Sequence, residues 1–131
     1  MAVGVSRGVL DTSVLVSGDV THLPGELAVS VVSLAELHFG VLVAMTPEAR
    51  SRRLVKLSQV QRRFDPLPVD EAVAASYGLL AARIVGIGRT PRTRSMDLLI
   101  AATAHAHGAL LYTRNAADLS GLEDLLGIVA V

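Results

Sequence analysis

Four acidic residues stand alone in uncharged stretches of this sequence. They are Asp11 (8–18), Glu36 (27–47), Asp97 (95–113) and Asp118 (115–122), where the numbers give the stretch in which each is the only charged residue. Two carboxylates about 4 Å apart repel by roughly 4 kcal/mol at an effective dielectric of 20, so converging acids hold a proton or bind a cation. An all-oxygen set without cysteine suits Mg²⁺ or Mn²⁺ rather than zinc. Such an ion can activate water and stabilise the leaving oxygen of a phosphodiester.

Each acid also has an interpretation without chemistry. Asp11 before Thr12 and Ser13 can be a turn or helix cap, and Glu36 can close a capping box with Ser33. Asp97 can complement the helix dipole in the first turn of a helix, and Asp118, three residues after Asn115, can be a second capping acid. That all four isolated acids are caps is less plausible than that some of them share a site.

The elements that position these acids follow from apolar runs and capping residues. Short apolar runs predict strands ending at Asp11, over Leu27–Val32, over Leu110–Thr113 and over Gly127–Val131, with a short edge strand around Pro66–Val69. Capping residues predict helices beginning after Ser33, Thr46, Asp70 and Ser95, and ending near Met45, Arg63, Ile87 and His107. The helix after Thr46 is expected to bury Leu54, Leu57, Val60 and Phe64.

Strands that alternate with helices predict an α/β fold with a mostly parallel sheet. Its length of 131 residues predicts a single domain spanning residues 1–131. Ligands of such sheets bind beyond the carboxyl ends of the strands. Each isolated acid follows a predicted strand or opens a helix, so the four can converge on one cleft.

Composition excludes several classes of protein. The chain is 51% hydrophobic and 18% charged, which is unlike a disordered chain, and it has no cysteine for disulfides or thiolate sites. No apolar run is long enough to span a membrane, and no secretory signal is visible. We therefore expect a soluble, cytoplasmic protein without a membrane partner.

Basic residues cluster although the net charge is zero. The first patch, Arg50–Arg63, and the second, Arg83–Arg94, contain no acid. They are either solvated helix faces or local polyanion sites. The apolar residues Leu37, Val41 and Leu42 are either core or a docking surface.

Four segments together resemble the motifs of PIN-domain nucleases. They are Val9-Leu10-Asp11-Thr12-Ser13, Ser33-Leu34-Ala35-Glu36-Leu37, Asp97-Leu98-Leu99-Ile100-Ala101-Ala102 and Thr113-Arg114-Asn115-Ala116-Ala117-Asp118-Leu119. Each motif alone is weak, but the order and spacing of the four are specific. The short length resembles the VapC toxins of VapBC toxin–antitoxin systems. One departure is Leu119, where the family often has an aromatic residue.

The resemblance implies a PIN-like three-layer fold, a central parallel sheet flanked by helices. It implies a Mg²⁺- or Mn²⁺-dependent endoribonuclease that cuts tRNA or rRNA loops, and a homodimer inhibited by a VapB antitoxin. Asp11, Glu36, Asp97 and Asp118 would be the catalytic, metal-binding acids. Their hydrogen-bonding supports would be Thr12, Ser13, Thr113 and Asn115. Arg89, Arg92 and Arg94 are assigned to RNA phosphates or to the antitoxin.

Other functions fit the residues less well. A receiver-type phosphoacceptor needs a lysine after a late strand, and the only lysine is Lys56 in the first basic patch. A dehalogenase-type phosphatase needs an aspartate at position 13, which is serine. A non-catalytic PIN-type module that binds RNA or a partner is the stronger alternative. It predicts the loss of at least one acid, and all four are present.

Overall fold

A parallel sheet lies at the centre of the computed structural model, which describes residues 6–18 and 20–131. Its strands within those ranges are β1 (Arg7–Leu10), β2 (Glu26–Ala28), β3 (Leu110–Thr113) and β4 (Ile128–Ala130). They lie in the order β2-β1-β3-β4, and every neighbouring pair is parallel. The predicted α/β class is confirmed.

Helices connect the strands and cover both faces of the sheet. They are α1 (Thr12–Leu15), α2 (Val31–Leu42), α3 (Pro47–Arg63), α4 (Glu71–Gly86) and α5 (Ser95–Ala106), with 3₁₀ turns at Pro91–Arg94 and Ala116–Leu119. Thr46 and Asp70 cap α3 and α4 as predicted, each accepting a bond from a backbone N–H of the first turn. No helix in the described ranges is both long and apolar enough to cross a bilayer.

Two helix starts differ from the sequence prediction. The N-cap of α2 is Ser30 rather than Ser33, because β2 already ends at Ala28 and Ser30 has the extended backbone of a cap, its Oγ accepting from the Val32 N–H at 3.0 Å. The N-cap of α5 is Arg94 rather than Ser95, because the preceding 3₁₀ turn runs into the helix and Ser95 is already helical.

One predicted strand and the predicted buried face of α3 also differ from what the structure shows. The expected edge strand near Pro66–Val69 is reduced to one bridge between Leu67 and Ser30, since prolines remove the donors that a ladder needs. Leu54 of α3 is half exposed, whereas Leu57 and Val60 are buried as predicted. The short helix α1 was not predicted.

Two hydrophobic cores lie on opposite faces of the sheet. Consecutive strand residues point to opposite faces, so Val9 packs in the core under α4 and α5 while Leu10 packs in the core under α2 and α3. Both side chains are at most 1% exposed. This layering holds β1 rigidly and fixes where Asp11 leaves the sheet.

The apolar residues of α2 divide between core and surface. Leu37 and Val41 are buried in the core under α2 and α3, so they are not available as a docking surface. Leu42 is 74% exposed, and Phe39 is 66% exposed.

Candidate active site

Asp11 and Thr113 leave the sheet side by side. In the parallel pair β1–β3, Val9 is opposite Leu111 and Leu10 is opposite Tyr112, so the next residue of each strand continues that register. Thr113 Oγ1 donates to Asp11 Oδ2 at 3.0 Å, and Ser13 Oγ donates to the same oxygen at 2.5 Å. Asp11 is buried and precedes α1 but makes no side-chain capping bond. Its carboxylate is therefore held for another purpose than capping.

Glu36 is brought to the same end of the sheet by α2. Because the helix is capped by Ser30, Glu36 lies in its second turn, and the capping-box interpretation with Ser33 is wrong. Thr12 Oγ1 donates to Glu36 Oε1 at 2.6 Å and lies 2.9 Å from Ser33 Oγ. The half-buried Glu36 carboxylate is thus oriented by a residue adjacent to Asp11.

Asp97 is electrostatically coupled to the other three acids. It lies half-buried in the first turn of α5, where a helix N-terminus favours the ionised form. Its pKa is nevertheless raised above the ordinary value of 3.8, chiefly by burial and then by the charges of Asp11 and Glu36, with Asp118 adding to the effect and Arg94 opposing it. The four isolated acids therefore converge, as their positions after strands predicted.

Asp118 is paired with an arginine inside this cluster. It lies in the 3₁₀ turn after β3, and its Oδ2 is 3.0 Å from Arg94 Nη1. The same Nη1 is 4.0 Å from Asp97 Oδ2. Arg94 therefore bridges two of the acids.

The remaining predicted residues have different roles. Ser13 Oγ accepts from the Arg114 N–H, and Thr113 Oγ1 accepts from the Asn115 N–H. The Asn115 side chain is exposed and makes no capping bond, whereas its backbone N–H supports the Thr113 hydroxyl.

Two of the arginines assigned to RNA or an antitoxin contact the loop after β3 or the acids in this structure. Arg89 donates to the carbonyls of Ser120 and Asp118 at 2.9 Å each. Arg94 forms the ion pairs with Asp118 and Asp97. Arg92 is exposed. Contact of any of the three with RNA or a partner stays a prediction.

The donor chemistry of the cluster fits Mg²⁺ or Mn²⁺. Burial and then the repulsion between carboxylates raise the pKa of Asp97, and a cation relieves that repulsion. As the side chains stand, residues 6–18 and 20–131 contain no group of three His, Cys, Asp or Glu that could hold an ion together. Mg²⁺ keeps several waters and often uses one or two protein carboxylates, so it does not need such a cage.

Comparison with known proteins decides the family. Residues 8–120 match the model of the PIN domain, a range that contains all four acids. The chain belongs to the PIN domain family. Its four motifs are therefore those of a PIN domain, as their order and spacing indicated.

Relatives of this PIN domain are VapC ribonucleases of Mycobacterium tuberculosis. Ribonuclease VapC4 is 40% identical over 119 residues, covering 85% of this chain and 88% of the relative. Ribonuclease VapC5 is 38% identical over 121 residues, covering 88% and 87%. The crystal structure of VapBC-5 from the same organism, a member of the VapBC family of toxin–antitoxin systems, superposes with a TM-score of 0.81 at 33% identity, covering 96% of this chain and 99% of that one. The chain groups with the VapC-type PIN domains.

Sequence reasoning missed two features of this PIN-domain site. Ser33 was interpreted as a cap, but it is fully buried beside Thr12. Its spacing of three residues before Glu36 places both on one helix face and is the signal that could have identified it. The pairing of Arg94 with Asp118 had no signal, because 24 residues separate them.

Proposed function

We propose that this PIN-domain chain is the toxin of a VapBC-type system and acts as a Mg²⁺- or Mn²⁺-dependent endoribonuclease. The observation that carries the proposal is the convergence of Asp11, Glu36 and Asp118 on Asp97, whose pKa they raise. A protein maintains such repulsion at a cost in stability, and carboxylate clusters of this kind are typical of sites that bind a cation.

The chain's own residues would bind and orient the ion. Asp11 and Asp97 would be the central ligands, because Asp11 is fixed by two hydroxyl donors and the pKa of Asp97 is raised by burial and by the charges of the other acids. Glu36, oriented by Thr12, and Asp118, paired with Arg94, complete the carboxylate set. A bound ion would provide Lewis acidity toward water and the scissile phosphate, so hydrolysis would leave a 5′-phosphate and a 3′-hydroxyl.

The substrate and partners follow from the family. The relatives are named ribonucleases, and the VapBC-5 structure belongs to a toxin–antitoxin family. We therefore infer that the substrate is RNA, with loops of tRNA or rRNA as the first class to test. A VapB-type antitoxin would be the inhibitor, the chain would act in the cytoplasm, where that RNA is found, and it would form a homodimer.

The decisive experiment is RNA cleavage by the purified chain beside its Asp97→Ala variant. Total cellular RNA is incubated with Mg²⁺, with Mn²⁺ or with EDTA, and the new ends are mapped. We expect cleavage that requires both the ion and Asp97, with circular dichroism confirming that the variant folds. Full activity of a folded Asp97→Ala variant, or cleavage in EDTA, overturns the mechanism.

The same assay tests the alternative of a non-catalytic PIN module. That module would bind RNA or its partner without cutting any RNA under all three conditions. All four acids are present, and the charges of Asp11, Glu36 and Asp118 act on Asp97, which favours the enzyme.

A further inference from the structure

A groove of about 530 Å³ adjoins the acid cluster between α2 and α3. Thr12 and Glu36, which belong to the cluster, line it from α1 and α2. Arg52, Arg53 and Lys56 line it from α3. The groove therefore joins the site of the proposed chemistry to part of the first basic patch.

Apart from Glu36, the charged residues that line this groove are basic. No acid occurs between Arg50 and Arg63, and Arg52 and Arg53 are exposed. Arg52 and Lys56 are four residues apart on α3, so they lie on one face of the helix. Arg53 Nη1 donates to the Gly40 carbonyl of α2 at 2.6 Å, which holds this guanidinium across the groove. Such a surface favours a polyanion.

Gly40 leaves bare backbone on the wall of the groove. It lies in the interior of α2, where glycine costs roughly 1 kcal/mol relative to alanine. A Cβ at this position would meet nothing within 4 Å, so no packing contact requires the glycine. Bare backbone on a groove wall permits the close approach of a ligand.

We propose that this groove binds the single-stranded RNA segment that continues from the scissile phosphate, with Arg52 and Lys56 contacting its phosphates. The proposal rests on the proposed ribonuclease function. An RNA strand cut at the acids must extend past them, and the groove lined by Glu36 provides a basic path from that point. Val16, which is 60% exposed, adds apolar lining against which a base can pack.

Binding is measured apart from cleavage, by fluorescence anisotropy of a labelled oligouridine in EDTA at several KCl concentrations. The Arg52→Ala/Lys56→Ala double variant removes two cations from the groove. We expect affinity to fall at least about tenfold and the salt slope to fall by about 1.4, the value for two phosphate contacts on a single strand.

Two further variants separate the groove from general charge. Arg62→Ala removes a cation of the same helix that is exposed and does not line the groove, so we expect binding within about twofold of wild type. Gly40→Leu fills the groove without changing charge, and we expect weaker RNA binding with an unchanged or higher Tm. Gly40→Ala is the matched control, expected to bind nearly as well as wild type.

If the double variant and Arg62→Ala lose the same RNA affinity for each charge removed, the attraction is diffuse and not specific to the groove. That result would overturn the proposal. Unchanged RNA binding in both the double variant and Gly40→Leu would leave the groove to a protein partner and would also overturn it. Because these measurements need no metal and no cutting, they remain informative if the ribonuclease function fails. If cleavage is confirmed, the double variant should raise KM while kcat stays near wild type.

Discussion

The Arg94 guanidinium lies 3.0 Å from the Asp118 carboxylate and 4.0 Å from that of Asp97. An arginine thus lies among the acids proposed to bind a divalent ion, and its charge lowers the pKa of Asp97 against the effect of the other acids. In the metal-free protein, Arg94 partly offsets the carboxylate repulsion. It should therefore compete electrostatically with the ion.

Arg94→Ala should strengthen Mn²⁺ binding. Removing the guanidinium increases the negative charge of the cluster and frees Asp118. Since the ion pair is partly exposed, we expect roughly a two- to fivefold lower Kd, the range that a pair worth ~0.5–1 kcal/mol allows. Isothermal titration with Mn²⁺ measures it, with Arg92→Ala, an exposed arginine of the same turn, as control. Weaker Mn²⁺ binding in Arg94→Ala would show instead that the arginine organises the ligands.

Asp97→Asn should abolish cleavage but raise the Tm in EDTA at neutral pH. The folded-state pKa of Asp97 lies above 3.8, so the folded protein binds this proton more tightly than the unfolded chain does. The free energy of unfolding therefore falls as pH rises from 3.8 through the folded-state pKa, and stays lower above it. Replacement by asparagine removes that loss.

Thermal unfolding at a series of pH values tests this sign. The gain in Asp97→Asn should be present at neutral pH and absent below the unfolded pKa of 3.8. Asp124→Asn is the control of opposite sign, because Arg83 lowers the pKa of Asp124, so its contribution to stability is present at neutral pH and lost as pH falls through its folded-state pKa. A lower neutral-pH Tm in Asp97→Asn would refute the argument that burial and carboxylate repulsion destabilise ionised Asp97.

Thr12→Val should impair cleavage through Glu36. The substitution keeps the size of the side chain but removes the hydroxyl that donates to Glu36 Oε1. We expect about a tenfold drop in kcat, consistent with a lost hydrogen bond to a charged group of ~1.5 kcal/mol. Thr12→Ser keeps the donor and should retain most of the activity. Equal activity of Thr12→Val and Thr12→Ser would show that Glu36 needs no support from residue 12.

Ser30→Ala should destabilise the fold, whereas Ser95→Ala should not. Ser30 is buried and caps α2, so its loss should cost ~1 kcal/mol and lower the Tm by about 2–8 °C. Ser95 does not cap α5, and its hydroxyl donates to the Arg92 carbonyl in an exposed contact. Its loss should change stability by less than ~0.5 kcal/mol. Equal effects of the two substitutions, measured by chemical denaturation, would contradict the assignment of the caps.

Local patterns were sufficient for much of the fold. Proline and threonine at Thr46-Pro47, and the aspartate at Asp70, define helix starts by bonds within one turn, and the structure contains both. The predicted start of α2 lies three residues after the observed one, because Ser30 and Ser33 are both residues that can cap a helix. Only the end of β2 and the bridge from Ser30 to Leu67 decide between them.

The sequence by itself determined the α/β class and singled out the four acids of the candidate site. An isolated charge in an apolar segment can be recognised without coordinates. It indicates a role because burying an unpaired carboxylate is costly. The tertiary structure decided the partners of those acids. The register of β1 with β3 joins Asp11 to Thr113 across 102 residues, and the packing of the loop before α5 joins Arg94 to Asp118. Such contacts depend on strand order and loop packing, which no local sequence pattern encodes.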